Sequence, residues 1–309
     1  MDGSDGTDKH YSNLYWGASI TAYRDWADQN GYYCKYLSHI EGSDLTYWPT
    51  RHPGEVYMEV FKDYAYYYNA FYQDKDYKTE AGQVDCLLKR FGKNIGSIIN
   101  FGCGTGKHDM ELAKLGYRCT GIDLSALMIN IARENVKREN LSIDFAVADI
   151  RSFVPQTQYD AVISLFHVMS YQTKNDDILQ AFQSARKALD RGGLFLFDVW
   201  YGPGVLSDKP CVRVKEIEDE KNKLARIARP VMHDKENVVD VCYEVFIMDK
   251  ENGQTKVFNE VHNMRYFFRP ELEFLLQEAG FELLDNIDCQ TLGETDYNTW
   301  TSYFIARTV

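Results

Sequence analysis

Several things are scarce or missing in this sequence, and each absence removes a class of protein. The seven cysteines stand at positions 34, 86, 103, 119, 211, 242 and 289, with no C-x-x-C pair among them. An odd, scattered set makes neither a disulfide framework nor a zinc site, and reads as reduced thiols of a cytoplasmic chain. No apolar run approaches the roughly 18 residues that span a bilayer, and the chain opens on acids at Asp2 and Asp5, where a secretory leader carries basic residues. Positive charge is in deficit, with 34 Lys and Arg against 46 Asp and Glu and a net charge of −12. Without a basic face the chain has no general grip on nucleic acid. What is present is a globular composition, 45% hydrophobic over 309 residues, enough to bury a large core.

The informative stretch is Ser97-Ile-Ile-Asn-Phe-Gly-Cys-Gly-Thr-Gly106. An apolar run, Ile98 to Phe101, breaks into three glycines at alternate positions, and a helical pattern follows at once from Lys107. Glycine lets the backbone approach a ligand and turn through positive φ. A second strand-like run, Arg118 to Ile122, ends in Asp123, and a third, Phe145 to Ala148, ends in Asp149. An acid at the tip of the second strand is placed to accept hydrogen bonds from ribose hydroxyls. Glycine loop and two acids at three strand ends describe a nucleoside pocket. The dinucleotide pattern G-x-G-x-x-G is missing, because Lys107, His108 and Asp109 stand where the last glycine would fall. A P-loop is missing too, since Gly106-Lys107 is followed by His108 and not by Ser or Thr.

Along the chain, residues 1–60 look irregular but rich in aromatics, and 14 of the 22 tyrosines precede residue 78. We expect an extension or lid here. A helix is expected over 78–91. Alternating units follow: strand 98–101, helix 107–115, strand 118–122, helix 125–138, strand 143–147, strand 160–165, helix 175–189 and strand 193–199. Ser125 is an expected N-cap and Arg191-Gly192-Gly193 an expected helix stop. Such alternation predicts an α/β fold with a parallel sheet covered on both faces. Residues 205–268 break it: Val239, Val241, Tyr243, Val245 and Ile247 share one face of a period-two pattern, and Glu251-Asn252-Gly253 is a turn, so an antiparallel β insertion is expected. A helix over 270–279, a strand from Phe281 and a last strand over 301–306 complete the core in 269–309. The main part of the core then spans 61–204.

From about Tyr64 onward the chain resembles class I S-adenosylmethionine (SAM) methyltransferases, and among these the bacterial dTDP-amino-sugar N,N-dimethyltransferases. The residues that carry the resemblance come in order: Tyr68-Asn-Ala-Phe-Tyr72 and Lys75-Asp-Tyr77, INFGCGTGKH, GIDLSALMINIAREN, VADIRSF, YDAVISLFHVMSY and RGGLFLFDVWY. The resemblance implies a Rossmann-like seven-stranded SAM methyltransferase sheet with an antiparallel β insertion and an aromatic-rich N-terminal extension. It implies SAM as cofactor, a small-molecule acceptor such as a nucleotide sugar, and a homodimer joined by the insertion. Gly102, Gly104 and Gly106 would let the backbone pass the cofactor, with Cys103, Leu124 and Leu165 in the same site. Asp123 would hold the ribose, Asp149 the adenine amino group with Ile150 beside it, and Tyr77 would close over the cofactor carboxylate. Asp149 as a cap of the next turn, Tyr77 as packing and Cys103 as a small filler are the plainer readings.

The loop Leu165 to Tyr171 falls where the donor methyl is presented. It has neither an Asn/Asp-Pro-Pro-aromatic motif nor a Pro-Cys pair, which removes most of the nucleic-acid reading. His167 is the candidate general base, since histidine titrates near working pH; a histidine satisfied by backbone is the alternative. His262 shares a strand face with Met264, Tyr266 and Phe268, as a pocket wall or a substrate contact. Tyr68 stands for a tyrosine run that overlies the active site in similar enzymes. Arg226, Arg229 and Arg265 are candidates for a nucleotide diphosphate. Two departures matter: residues 1–60 exceed what the sugar enzymes carry, and the first-strand position that usually carries an acid in this superfamily is Asn100, which keeps an acceptor oxygen and loses the charge near the methionine ammonium. The expected reaction is methyl transfer to the amine of a nucleotide-linked deoxyamino sugar. O-methylation, a glycine- or sarcosine-type N-methylation and a non-catalytic cofactor module are the alternatives.

Overall fold

The computed structural model describes residues 64–309, so the expected extension over 1–60 lies outside the described residues. Within them the chain forms α1 (Tyr64–Phe71), α2 (Tyr77–Phe91), β1 (Ser97–Phe101), α3 (Lys107–Lys114), β2 (Arg118–Asp123), α4 (Ala126–Arg138), β3 (Asp144–Val147) and β4 (Tyr159–Ser164). A 3-10 turn (Val168–Tyr171), α5 (Asn175–Ala188), β5 (Leu189–Tyr201), a short α6 (Gly202–Ser207) and strands β6 (Arg213–Glu218), β7 (Asn222–His233), β8 (Val238–Asp249) and β9 (Thr255–Phe267) follow. α7 (Arg269–Glu278), β10 (Phe281–Asp288) and β11 (Thr301–Thr308) close the chain.

β1 pairs in parallel with β2 on one side and β4 on the other, through Ile99↔Thr120 and Ile99↔Val162. β3 extends β2, and β5 extends β4. β11 then runs antiparallel to β5, with Phe304 opposite Phe197, and β10 pairs antiparallel with β11. The resulting order, β3-β2-β1-β4-β5-β11-β10, is the seven-stranded sheet that the resemblance implies, and β9 also pairs in parallel with the end of β5 through Trp200↔Tyr266.

Alternation along each strand divides the core between two faces. Ile99, Phe101, Val162, Phe195, Phe197 and Phe304 pack with Ile178 and Phe182 of α5 and Leu272 and Leu276 of α7. Their neighbours, Ile98, Ala161, Ile163, Leu194, Leu196 and Ile305, pack with Val84, Leu87 and Leu88 of α2 and Leu112 of α3. A parallel sheet needs both faces covered, because its strands offer water no polar side.

Local chemistry ends the helices where side chains supply the missing partners. Asp76 caps α2 by accepting from the Thr79 N–H at 2.9 Å, and Ser125 caps α4 by accepting from the Met128 N–H. The expected helix stop at 191–193 is placed differently. α5 ends at Ala188, and the Arg-Gly-Gly triplet is a bulge inside β5, where pairing moves from Tyr159↔Leu189 to Ala161↔Leu194. Gly192 takes φ 79 there, and its N–H donates to Thr308 Oγ1 at 2.7 Å, so the bulge is pinned by the last strand.

The described residues fall into two compact units. One comprises Val212–Arg229 and Tyr243–Asn259, where β6 runs antiparallel to β7 (Val214↔Ile227) and the turn after β8 closes with Asp249 N–H donating to Gln254 O at 2.9 Å. The other comprises 64–211, 230–242 and 260–309. The four strands β6 to β9 lie between Arg213 and Phe267. β6 and β7 were not distinguished from the rest of that region in sequence, because charges at Lys215, Glu216 and Lys223 blur their period. Among the described residues, no helix is long and apolar enough to cross a membrane.

Candidate active site

The glycine loop leaves β1 at Phe101, and the N–H groups of Gly102 and Cys103 both donate to Ile122 O, at 2.8 and 2.9 Å. This clips the loop to the end of β2 and holds Asp123 against it. Asp123 Oδ2 accepts from the Gly104 N–H and Oδ1 from the Ser125 N–H, each at 2.8 Å. Burial pushes this carboxyl up, against the pull of those two N–H donors. Each oxygen keeps a second acceptor site for a hydroxyl.

The three glycines open in different directions. At Gly104, with φ 55, a Cβ would meet nothing within 4 Å, which leaves the backbone bare toward open space. At Gly106 a Cβ would lie 2.7 Å from Phe145 Cζ, and at Gly102 2.6 Å from Val168. Only Gly104 is bare toward a ligand; the other two are required by packing of the protein on itself. That narrows the ligand-approach role expected of all three. Cys103 is buried, and its thiol is pushed well up by burial and then by Asp109 and Asp123, which suits the small-filler reading. Leu165 and Ile150 are also buried in the core, whereas Leu124 is exposed beside Asp123.

Asp149 is already committed. The Arg151 guanidinium donates to both of its oxygens, with Nη2 to Oδ2 at 2.6 Å, and the Arg151 N–H donates to Oδ1 at 2.9 Å. Those bonds hold its carboxyl below the usual range. It caps the turn after β3, as the plainer reading has it, and an adenine amino group would share oxygens that Arg151 already uses.

A series of ring contacts joins two of the expected site residues, Tyr68 and His167. Tyr68 lies 4.7 Å from Tyr72 between ring centroids, Tyr72 stands edge-on to Phe166 at 5.2 Å, and Phe166 lies 5.2 Å from the His167 ring. Lys75 Nζ sits 4.1 Å from the Phe166 ring centroid and 5.3 Å from that of Tyr77, and Lys107 Nζ is 5.1 Å from the same Tyr77 centroid. His108 meets Tyr77 edge-on at 4.9 Å. Tyr77 therefore stands among three basic residues, Lys75, Lys107 and His108. Glu80 ties two of them: it pairs with Lys75, and its Oε2 lies 2.6 Å from His108 Nε2. Burial works to raise the Glu80 carboxyl, but His108 and Lys75 outweigh it and hold it at about 2.

The loop after β4 is strained and anchored. Phe166 and His167 both take φ 66, a left-handed conformation that side-chain-bearing residues adopt at a cost of about 1–3 kcal/mol each when the surroundings impose it. What imposes it is Asp198 of β5: Oδ1 accepts from the His167 N–H at 3.0 Å, and Oδ2 lies 2.7 Å from Nδ1. Ser170 Oγ accepts from the Trp200 N–H at 3.0 Å and holds the following 3-10 turn to the same strand. In that turn, Tyr171 Oη lies 2.7 Å from His262 Nδ1, and His262 Nε2 lies 3.2 Å from Glu260. His262 is thus a buried wall residue that reaches the loop through Tyr171.

The three arginines are differently placed from the expected diphosphate role. Arg265 is buried, bonded to Glu271, to Asn175 Oδ1 at 2.8 Å and to Thr173 O at 3.3 Å. Arg229 donates to Glu244 at 2.9 Å, and Arg226 is fully buried against the Tyr243 ring. Each guanidinium serves the protein itself. Sequence reasoning missed Asp198, Tyr171, Glu260, Glu80 and Asp109. Asp198 had a visible signal, a lone acid inside the apolar run Leu194 to Trp200; the others acquire meaning only from their partners in space.

With this geometry in place, comparison with known proteins identifies the class. Residues 98–193 match the family model of a methyltransferase domain. A dTDP-3-amino-3,4,6-trideoxy-alpha-D-glucopyranose N,N-dimethyltransferase of Streptomyces venezuelae is 26% identical over 223 residues, 72% of this chain and 91% of that enzyme. The crystal structure of DesVI from Streptomyces venezuelae matches with a TM-score of 0.68 at 22% identity, over 80% of this chain and 99% of that one. The SAM-bound structure of CalS10, an amino pentose methyltransferase from Micromonospora echinaspora, matches with a TM-score of 0.64 at 20% identity, over 84% of this chain and all of that one. Residues 98–193 thus carry a methyltransferase domain, and the chain shares the fold of these enzymes. SAM is the cofactor bound in the CalS10 structure. The residues present fit that cofactor: a bare backbone at Gly104, an acid with spare acceptor sites at Asp123 and basic residues grouped about Tyr77.

Proposed function

We propose that this enzyme methylates the amine of a small acceptor, a nucleotide-linked deoxyamino sugar. The observation that carries the reading is His167, forced into a left-handed conformation and held by Asp198 at the end of an aromatic wall. The amino-sugar relative from Streptomyces venezuelae, aligned over most of its length, supports the choice of acceptor.

When bound, SAM supplies a methyl on a sulfonium that is already an excellent leaving group. The protein's task is then to bring the acceptor in line and keep water out, and positioning of this kind is worth roughly 7–11 kcal/mol. Asp123 and the Gly104 backbone hold the nucleoside end. Tyr77, with Lys75, Lys107 and His108 about it, receives the cofactor carboxylate. An amine attacks only as its neutral form, and the weakly polar wall of Tyr68, Tyr72 and Phe166 disfavours the ammonium. With Asp198 beside Nδ1, Nε2 is the nitrogen left to accept the proton released from the amine. All six cysteines among the described residues are free thiols, which supports a reducing, cytoplasmic setting.

Incubation of purified protein with SAM and matched amino and hydroxyl nucleotide sugars tests this. The expected result is a mass gain of about 14 Da per methyl on the amines alone, from direct displacement at the donor. Gain only on the hydroxyl sugars would favour O-methylation, which the same His167–Asp198 pair could serve.

A further inference from the structure

β9 carries a buried polar series that the mechanism above does not use. Glu260, His262, Met264 and Tyr266 alternate along the strand, and all four are buried. Met264 and Tyr266 suit such a face. A carboxyl and an imidazole lose their hydration on it and are kept there only with partners at hand. His262 is 3% exposed and Glu260 8%, so bulk water is not the partner. Glu260 Oε2 lies 3.2 Å from His262 Nε2, and His262 Nδ1 lies 2.7 Å from Tyr171 Oη. With Glu260 beside Nε2, Nδ1 is the nitrogen left to accept from the Tyr171 hydroxyl. The series runs from carboxyl to imidazole to hydroxyl, and it ends on the loop that carries His167.

That loop has a strained end and a gripped end. Phe166 and His167 are both left-handed, and two such residues in succession persist only where the surroundings over-determine them. β5 supplies part of the hold, through Asp198 on His167 and the Trp200 N–H on Ser170 Oγ. Within the turn, the Ser170 N–H donates to His167 O at 2.9 Å, which ties the turn to the histidine. The next side chain is Tyr171, held by His262. Two residues on, Thr173 O accepts from Arg265 Nη1 at 3.3 Å. β9 thus grips the far end of the loop twice.

We propose that Glu260 and His262 are positioning residues for methyl transfer, acting through the Tyr171 hydroxyl to keep the turn closed and His167 in its left-handed place. The proposal rests on His167 being the proton acceptor. A hydrogen bond suits this task better than an apolar contact, because it fixes direction as well as distance. Glu260 orients the imidazole, as the third group does wherever a base is itself held in line.

Two measurements on the protein test this, and Tyr171→Phe serves both, since it removes one oxygen from a half-buried ring and leaves the packing in place. Amide hydrogen exchange read by NMR needs no acceptor. The N–H groups of His167 and Ser170 should exchange about tenfold faster in Tyr171→Phe, the change that one hydrogen bond supports, with Ile163 of β4 unchanged. In turnover of SAM with an amino nucleotide sugar, Tyr171→Phe and His262→Asn should each lower kcat about tenfold for the same reason. The KM for SAM and the affinity for S-adenosylhomocysteine by calorimetry should stay as in the wild type. The two changes together should lose no more than either alone, and neither should lower kcat further once His167 is Asn. Unchanged exchange or unchanged kcat in Tyr171→Phe overturns the proposal and leaves the amine reading standing. So does a loss of kcat that is as large in the His167→Asn background. No turnover of any amine by the wild type overturns that reading, and the proposal with it.

Discussion

At the residue scale, the loop after β4 shows how one acid can decide the chemistry of its neighbour. Asp198 holds both the backbone N–H and the imidazole of His167, so the ring cannot turn without giving up a buried carboxylate contact. Replacing His167 with Asn should lower kcat by about 10²-fold or more, the usual loss for a positioned proton acceptor, with S-adenosylhomocysteine affinity unchanged. Asp198→Asn should fall in the same direction by releasing the ring. Steady-state kinetics beside calorimetry checks both; wild-type turnover by His167→Asn would remove the histidine from the mechanism. His167 was legible in sequence because a histidine stood in the loop facing the donor methyl. Its partner was not, because a loop residue and a strand residue 31 positions apart are brought together only by the fold.

At the element scale, α2 is more than a cover for the sheet. Its apolar stripe, Ala81, Val84, Leu87 and Leu88, packs on the core, and its first turn presents Glu80 to Lys75 and His108. Glu80 has a folded value of about 2 against an ordinary 4.5. A depressed carboxyl adds stability that is complete above its unfolded value and disappears as pH falls through the folded one. The window here runs from about pH 4.5 down to about pH 2, and the stake is about 3 kcal/mol before solvent screening reduces it. Urea denaturation at pH 7 and pH 3 should show Glu80→Gln less stable than wild type at pH 7, with the gap narrowing at pH 3. An equal gap at both values would mean that Glu80 acts through packing and not through charge. The helix itself was predicted within a residue, since its stripe recurs at helical spacing. The Glu80 cluster was not, because Lys75, Glu80 and His108 come from a turn and two helices.

At the scale of the whole molecule, the sheet is stabilised by aromatics layered where the parallel and antiparallel strands meet. Phe197 of β5 stacks on Phe304 of β11 with centroids 5.6 Å apart and planes 15° apart, and Phe182 and Phe195 close around Phe197. Phe304→Ala should cost about 3–5 kcal/mol, seen as a lower urea midpoint with an unchanged slope. A cost below about 1 kcal/mol would show that the neighbours collapse into the space. β5 and β11 lie more than a hundred residues apart in sequence, and their pairing brings the C-terminal strands into the same core as α5 and α7.

The period of apolar residues determined the alternating strands and helices of the core, because a strand buried on both faces and a helix packed on it each leave a plain pattern. The spacing of Gly102, Gly104 and Gly106 and the acid at Asp123 marked the nucleoside end, since few arrangements of backbone and carboxylate suit that ligand. Tertiary structure alone decided that Gly106 serves packing and Gly104 the open side, that the Gly192-Gly193 pair is a bulge and not a helix stop, and that Arg265 is structural. It alone set Asp109 against Asn100 and Asp198 against His167. Hydrogen bonds and charge pairs act over a few ångströms, and no pattern along the chain records which distant residues will come that close.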